Sequence, residues 1–91
     1  MSIKVKITPV LQEYSHIPNI LEVNGNTVGE CLDDLIRQYP EARSWLFDQY
    51  GLLQVLVSIN NKETVALDRN GLGRILTADD EIQIFAVIGG G

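Results

Sequence analysis

Thr27-Val28-Gly29-Glu30-Cys31-Leu32-Asp33-Asp34-Leu35-Ile36-Arg37-Gln38-Tyr39-Pro40 is the stretch on which the fold turns. Its apolar residues Val28, Cys31, Leu32, Leu35, Ile36 and Tyr39 recur at the spacing of one helix face, which leaves Glu30, Asp33, Asp34, Arg37 and Gln38 for solvent. Thr27-Val28-Gly29-Glu30 reads as a capping box: the threonine hydroxyl accepts from an orphan helix N–H, and the glutamate reaches back to the Thr27 N–H. Pro40 disfavours the helical state at Tyr39, so the pattern predicts one amphipathic helix of about three turns. Glu41 to Phe47 is expected to add a short second turn that buries Trp45 and Leu46, with Gly51 as its stop signal.

The flanks of this helix read as strands. Upstream, Ile3-Lys4-Val5-Lys6-Ile7 alternates with period two, so Ile3, Val5 and Ile7 share a buried face. Beyond Thr8-Pro9 and Pro18, the run Ile20-Leu21-Glu22-Val23 predicts a second strand returning beside the first, and Asn24-Gly25-Asn26 supplies a turn. Downstream, Gln54 to Asn60 is rich in β-branched residues, with Val55, Val57 and Ile59 on one face, and it ends in the turn dipeptide Asn60-Asn61. Thr64 to Leu67 is expected to form a short edge strand. Asp68-Arg69-Asn70-Gly71 and Gly73 mark irregular chain, Ala78 to Glu81 another turn, and Ile82 to about Val87 the final strand.

Two strands, a helix and two or three further strands make an α+β layer: a ubiquitin-like β-grasp, a mixed sheet with one main helix packed across one face. A ferredoxin-like topology ranks second, because it needs a second substantial helix where Asp68 to Leu76 offers little support. The 91 residues are expected to divide into a β-grasp domain over 1–88 and a flexible glycine tail over 89–91.

Composition narrows the function. Twelve acidic against seven basic residues leave a net charge of −5, the wrong sign for gripping a polyphosphate backbone, so no nucleic-acid ligand is expected. The longest apolar run, Ile84 to Ile88, is too short to span a membrane, and Met1-Ser2-Ile3-Lys4 lacks the apolar core of a secretory signal. A lone Cys31 and a lone His16 supply neither a disulfide nor a structural zinc set, which fits a cytoplasmic location and no metal. No nucleophile elbow and no phosphate-binding glycine loop is present, so an enzyme acting alone is not the first expectation.

The chain stops at Val87-Ile88-Gly89-Gly90-Gly91, and a chance run of three glycines at one fixed place has odds of order a few in ten thousand. Glycine lacks Cβ, so an extended glycine tail threads a narrow channel and lies against a nucleotide where a side chain would collide. Its terminal carboxylate becomes deliverable. Adenylation by ATP turns that carboxylate into a mixed anhydride, which a persulfide or thiol attacks with release of AMP, and a partner enzyme would perform this step.

At this point the sequence resembles the MoaD/ThiS sulfur carriers, β-grasp proteins with a C-terminal Gly-Gly. The residues that carry the resemblance are the opening strand Ile3 to Ile7, Thr27-Val28-Gly29-Glu30-Cys31-Leu32, Tyr39-Pro40, Val55 to Asn60, Asp80-Glu81-Ile82-Gln83-Ile84-Phe85 and the tail. The resemblance implies an E1-like adenylyltransferase that activates the terminal glycine and a sulfurtransferase that supplies sulfur. It further implies a downstream synthase accepting that sulfur for molybdopterin first, or for thiamin thiazole or an amino-acid precursor. Gly91 would carry the adenylate and then the thiocarboxylate, while Gly89 and Gly90 thread the partner's active site. Gly89 stands where many members have alanine or another small residue, so a register with Gly89-Gly90 as the functional pair is the alternative; counting from Asp80-Glu81-Ile82 favours Gly91. The chain itself would bind no cofactor, ATP being used by the partner.

On the last strand, Ile82 and Ile84 are expected to face the helix, leaving Gln83, Phe85 and Val87 on the opposite face. Leu56 shares that outward parity, and with Phe85 and Val87 it makes a candidate partner-binding patch; the competing reading is that a loop covers Phe85 as ordinary core. Cys31 reads as a small buried hydrophobe rather than a persulfide acceptor, His16 as a solvated loop residue, and Asp79-Asp80-Glu81 as a solvated turn. Three function classes remain: a sulfur carrier, a ubiquitin-like modifier joined to lysines, and a β-grasp module with no reactive terminus.

Overall fold

Alternation in the first strand sets which face of the sheet is buried. The structure, a computed structural model, describes residues 2–8, 17–50, 54–65 and 69–85. Strand β1 (Ser2–Ile7) buries Ile3, Val5 and Ile7 and exposes Lys4 and Lys6 on the other face. Strand β2 (Ile20–Asn24) returns antiparallel beside it, with Val5 opposite Leu21 and Ile3 opposite Val23. The main helix α1 (Val28–Gln38) follows at once.

Thr27 caps α1 as its sequence predicts, its hydroxyl accepting from Glu30 N–H at 3.1 Å. The reciprocal bond lands one residue earlier than the capping box implies: Glu30 accepts from Asn26 N–H at 2.7 Å instead of from Thr27. Thr27 is itself bridged to Ile75, which draws this corner of the chain toward the 74–76 segment. Val28, Cys31, Leu32 and Leu35 are fully buried and Ile36 and Tyr39 half-buried, so the predicted apolar stripe faces the sheet. Asp34 departs from expectation. Assigned by spacing to the solvent face, it is buried, because the end of β2 lies against that flank of the helix and hands it a backbone donor.

A 3₁₀ turn (Pro40–Ala42) and the single helical turn α2 (Arg43–Leu46) then bury Ala42 and Leu46, while Trp45 is half-buried. The proposed stop at Gly51 lies outside the described residues. Strand β3 (Leu56–Ile59) places Val57 and Ile59 in the core, and Asn60 and Asn61 turn the chain with φ of 56° and 57°, the left-handed conformation that asparagine tolerates. Of the expected edge strand at Thr64 to Leu67, Ala66 and Leu67 lie outside the described residues; the described strand β4 is Glu63–Thr64, set by pairing of Ser58 with Thr64 across that tight turn. A second correction concerns the stretch read as irregular between Asp68 and Leu76. It contains a helical turn, α3 (Arg69–Leu72), seated on α1 where Gly29 has no side chain; a Cβ there would stand 3.1 Å from the Leu72 carbonyl.

Strand β5 (Glu81–Phe85) fills the centre. It runs parallel to β1 and antiparallel to β3, giving the five-stranded order β2-β1-β5-β3-β4. Ile82 and Ile84 are fully buried against the helix side, as their parity requires. With α1 across one face of this mixed sheet, the architecture is the predicted α+β β-grasp, and each fully buried Leu, Ile or Val of the single core contributes about 1.5–3 kcal/mol. The expected continuation of β5 through Val87 lies outside the described residues.

Candidate functional site

Because β5 lies between β1 and β3, its last described residues are held from both sides in the middle of the sheet. On one side the Thr8 N–H donates to the Ile84 carbonyl at 3.1 Å. On the other, Leu56 stands directly across from Phe85. The two side chains therefore share the face turned away from α1, as strand parity predicts. Leu56 is 39% exposed and Phe85 half-buried, so the pair is an apolar spot at the surface.

Below this spot the same face is polar and ordered. Gln83 is buried at 4% exposure despite its outward parity, because neighbours on both sides close over it. Its Oε1 accepts from Ser58 Oγ at 2.7 Å and from Asn61 N–H at 2.9 Å, while its Nε2 donates to Glu81 Oε1 at 2.9 Å. Glu81 in turn lies 3.6 Å from Lys6 Nζ. This chain of contacts pins the row of side chains that underlies Phe85. A hollow of about 220 Å³ opens beside it, lined by Lys6, Thr8, Asn61, Gln83 and Phe85, and the buried Thr8 Oγ1 has no hydrogen-bond partner among the described residues.

Of the residues singled out from sequence, Leu56 and Phe85 are thus brought together, and Val87, Gly89, Gly90 and Gly91 lie outside the described residues, as does His16. Ile20 was missed. It is 51% exposed and faces outward opposite Lys6, two strands from Phe85, and the inward parity of Val23 and Leu21 is the signal that would have found it. Asp34 and Gln83 were missed as buried polar groups, since neither has a periodicity that distinguishes it from a solvated residue.

Cys31 sits in the core at 1% exposure, where burial first, and then the Glu30 and Asp34 carboxylates, push its thiol up to about 11. At neutral pH it carries almost no thiolate and behaves as packing. Within the acidic turn, Asp80 accepts from Thr77 N–H and from Asn60 Nδ2, both at 2.8 Å, and the first of these bonds leads in holding its carboxyl below the ordinary range. That carboxylate is used by the turn. Among the described residues no three His, Cys, Asp or Glu side chains come together as a metal site, and no helix is long and apolar enough to cross a membrane.

The ThiS family model matches residues 9–91, nearly the whole chain. No curated protein matches the chain. Among solved structures, SAMP1 from Haloferax volcanii is 29% identical, with a TM-score of 0.81 and full coverage of both chains. The small archaeal modifier protein 1 (SAMP1) from Methanosarcina acetivorans is 26% identical over 99% of this chain and 96% of that one, with a TM-score of 0.80. A chain of the BexX/CysO complex from Amycolatopsis orientalis is 25% identical over 98% and 99%, with a TM-score of 0.73. Together with the central β5 and the single helix across a mixed five-stranded sheet, these matches mean that the chain belongs to the ThiS family of β-grasp sulfur carriers.

Proposed function

We propose that the protein carries sulfur on the carboxylate of Gly91. An E1-like adenylyltransferase joins that carboxylate to the α-phosphorus of ATP and pyrophosphate leaves. The outer sulfur of a sulfurtransferase persulfide then attacks the acyl carbon and AMP departs with the original oxygen; a second thiol cleaves the resulting acyl disulfide, forming a disulfide with the sulfurtransferase cysteine and releasing the terminus as a thiocarboxylate. Gly89 and Gly90 thread the partner's active site, where a Cβ would collide. The thiocarboxylate passes its sulfur to a downstream synthase, of the molybdopterin type first and of the thiamin or cysteine type otherwise. The chain is the substrate of these enzymes, and the ATP belongs to the partner.

The observation that carries this reading is the family match, which runs through residue 91, six residues beyond Phe85 and the apolar surface pair it forms with Leu56. Leu56, Phe85 and Val87 are the proposed docking patch. A protein with the chemistry in its tail needs a surface near the root of that tail, because docking there turns delivery of the carboxylate into an intramolecular event. The chain similar to this one in the BexX/CysO complex supports association with a partner protein.

The test is the intact mass after incubation with ATP, an E1-like enzyme and a sulfur source, against a variant lacking Gly90 and Gly91. Exchange of one oxygen for sulfur on the full-length chain alone is the expected result. An unchanged mass with an activating enzyme proven competent on another carrier refutes it. The similarity to two small archaeal modifier proteins favours one second reading, conjugation of Gly91 to lysines, which the same reaction would reveal as higher-mass adducts.

A further inference from the structure

The sheet has two edges, and they are treated differently. The β4 edge is two residues long, and Arg74 grips Glu63 on it through two contacts of 2.7 and 2.9 Å, so it offers little to a foreign strand. The β2 edge is five residues long, and no described strand lies beyond it. Ile7 N–H donates to the Asn19 carbonyl at 2.8 Å. By the alternation of an antiparallel ladder, Leu21 and Val23 then turn their backbone groups toward β1, while Ile20, Glu22 and Asn24 turn theirs outward.

Two of these outward groups are already taken, both by α1. Asn24 N–H donates to Asp34 Oδ2 at 2.9 Å, and the Glu22 carbonyl accepts from Gln38 Nε2 at 3.2 Å. Asp34 and Gln38 lie one helical turn apart and are joined to each other, Gln38 Nε2 to Asp34 Oδ2, at 2.9 Å; Arg37 Nε holds the other carboxylate oxygen at 3.0 Å.

We propose that Asp34 and Gln38 act as a guard on the β2 edge that keeps it from pairing with β2 of a second copy of this chain. An antiparallel β2–β2 pair about a two-fold axis has three central registers, at Leu21, Glu22 or Val23. Every one of them uses the Glu22 carbonyl that Gln38 occupies, and the Glu22 and Val23 registers also use the Asn24 N–H that Asp34 occupies. A second copy is the occupant the strand itself specifies. Centred on Leu21, the pairing sets this half-buried leucine against its symmetry mate, gives cover to Ile20, and avoids opposing one Glu22 to the other. The guard leaves the outer sheet face, with Leu56 and Phe85, on a monomer.

The test compares sedimentation of the wild-type chain, Gln38→Ala and Asp34→Ala/Gln38→Ala up to roughly 1 mM, each verified as folded by the near-ultraviolet signal of Trp45. The expected result is a monomeric wild type, and variants whose dimerisation midpoint lies at least about tenfold below any wild-type association. Adding Glu22→Pro, which removes an outward N–H that β1 does not use, returns the variants to monomer. Gln38 is exposed, so Gln38→Ala decides the question alone if the double variant does not fold. A folded Gln38→Ala that stays monomeric, a dimer indifferent to Glu22→Pro, or a wild type that already dimerises as tightly as the variants overturns the proposal.

Discussion

Replacing Asp34 probes the one buried carboxylate of the helix–sheet contact. In the folded chain it is 8% exposed and accepts from Asn24 N–H, Arg37 and Gln38, tying the end of β2 to the middle of α1. Hydrogen bonds to a charged group contribute about 1.5–3 kcal/mol, and an orphaned donor costs a comparable amount, so Asp34→Ala should lose about 2–4 kcal/mol. Asp34→Asn keeps one acceptor for Asn24 N–H and should lose about 1–2 kcal/mol. A chain of this length has roughly 5–14 kcal/mol in total, so the alanine variant remains folded but visibly weakened. The Asn24 N–H bond is the main cause holding the Asp34 carboxyl below its ordinary 3.8, helped by Arg37 and Gln38 and opposed by burial. A folded value below the unfolded one means that the stabilisation is complete above the unfolded value and is lost as pH falls through it toward the folded value. The gap between wild type and Asp34→Asn should therefore be whole at about pH 7 and smaller at about pH 2. Urea unfolding followed through Trp45 fluorescence, with unchanged slope, measures it. A loss below about 0.5 kcal/mol for Asp34→Ala, or an equal gap at both pH values, would refute the account.

Leu56→Glu places a charge on the exposed apolar spot; affinity for the activating partner should fall by at least about tenfold while the melting temperature stays near wild type, and equal affinity would remove Leu56 from the interface. Cys31, buried and with its thiol pushed up to about 11, should react with a thiol reagent at pH 8 only at the rate of opening, so stoichiometric labelling of the native chain within seconds would contradict its packing role. Asn60 and Asn61 both adopt left-handed backbone, yet only the Asn60 side chain is used there, accepting from Glu81 N–H at 2.9 Å and donating to Asp80 at 2.8 Å. Asn61→Gly should then stay within about 0.5 kcal/mol of wild type and Asn60→Gly should lose about 1–2 kcal/mol, an order that denaturant midpoints would reverse if the turn's side chains did not matter. Gly25→Ala sets a Cβ 2.8 Å from Cys31 N, so a loss of about 1–3 kcal/mol in thermal unfolding is expected, and a neutral outcome would mean that this corner yields.

What the sequence by itself determined is everything that follows from period. Alternation in Ile3 to Ile7 and Val55 to Ile59, and helical spacing from Val28 to Tyr39, assign faces because a strand or helix repeats its geometry residue by residue. The parity of Ile82 and Ile84 followed, and with it the shared face of Leu56 and Phe85. The glycines at 89–91 suggested a reactive tail for a different reason, their composition rather than any period, and they lie outside the described residues. Tertiary structure decided what depends on neighbours far along the chain. Asp34 and Gln83 look like solvated polar residues locally, and each is buried only because another element, the end of β2 for one and Ser58 with the Asn61 turn for the other, supplies the partners that make burial affordable. The helical turn at Arg69–Leu72 likewise rests on the space above Gly29 rather than on its own glycine-bearing sequence. A polar group's environment is the sum of contacts that meet only after folding, and no period in the sequence encodes that sum.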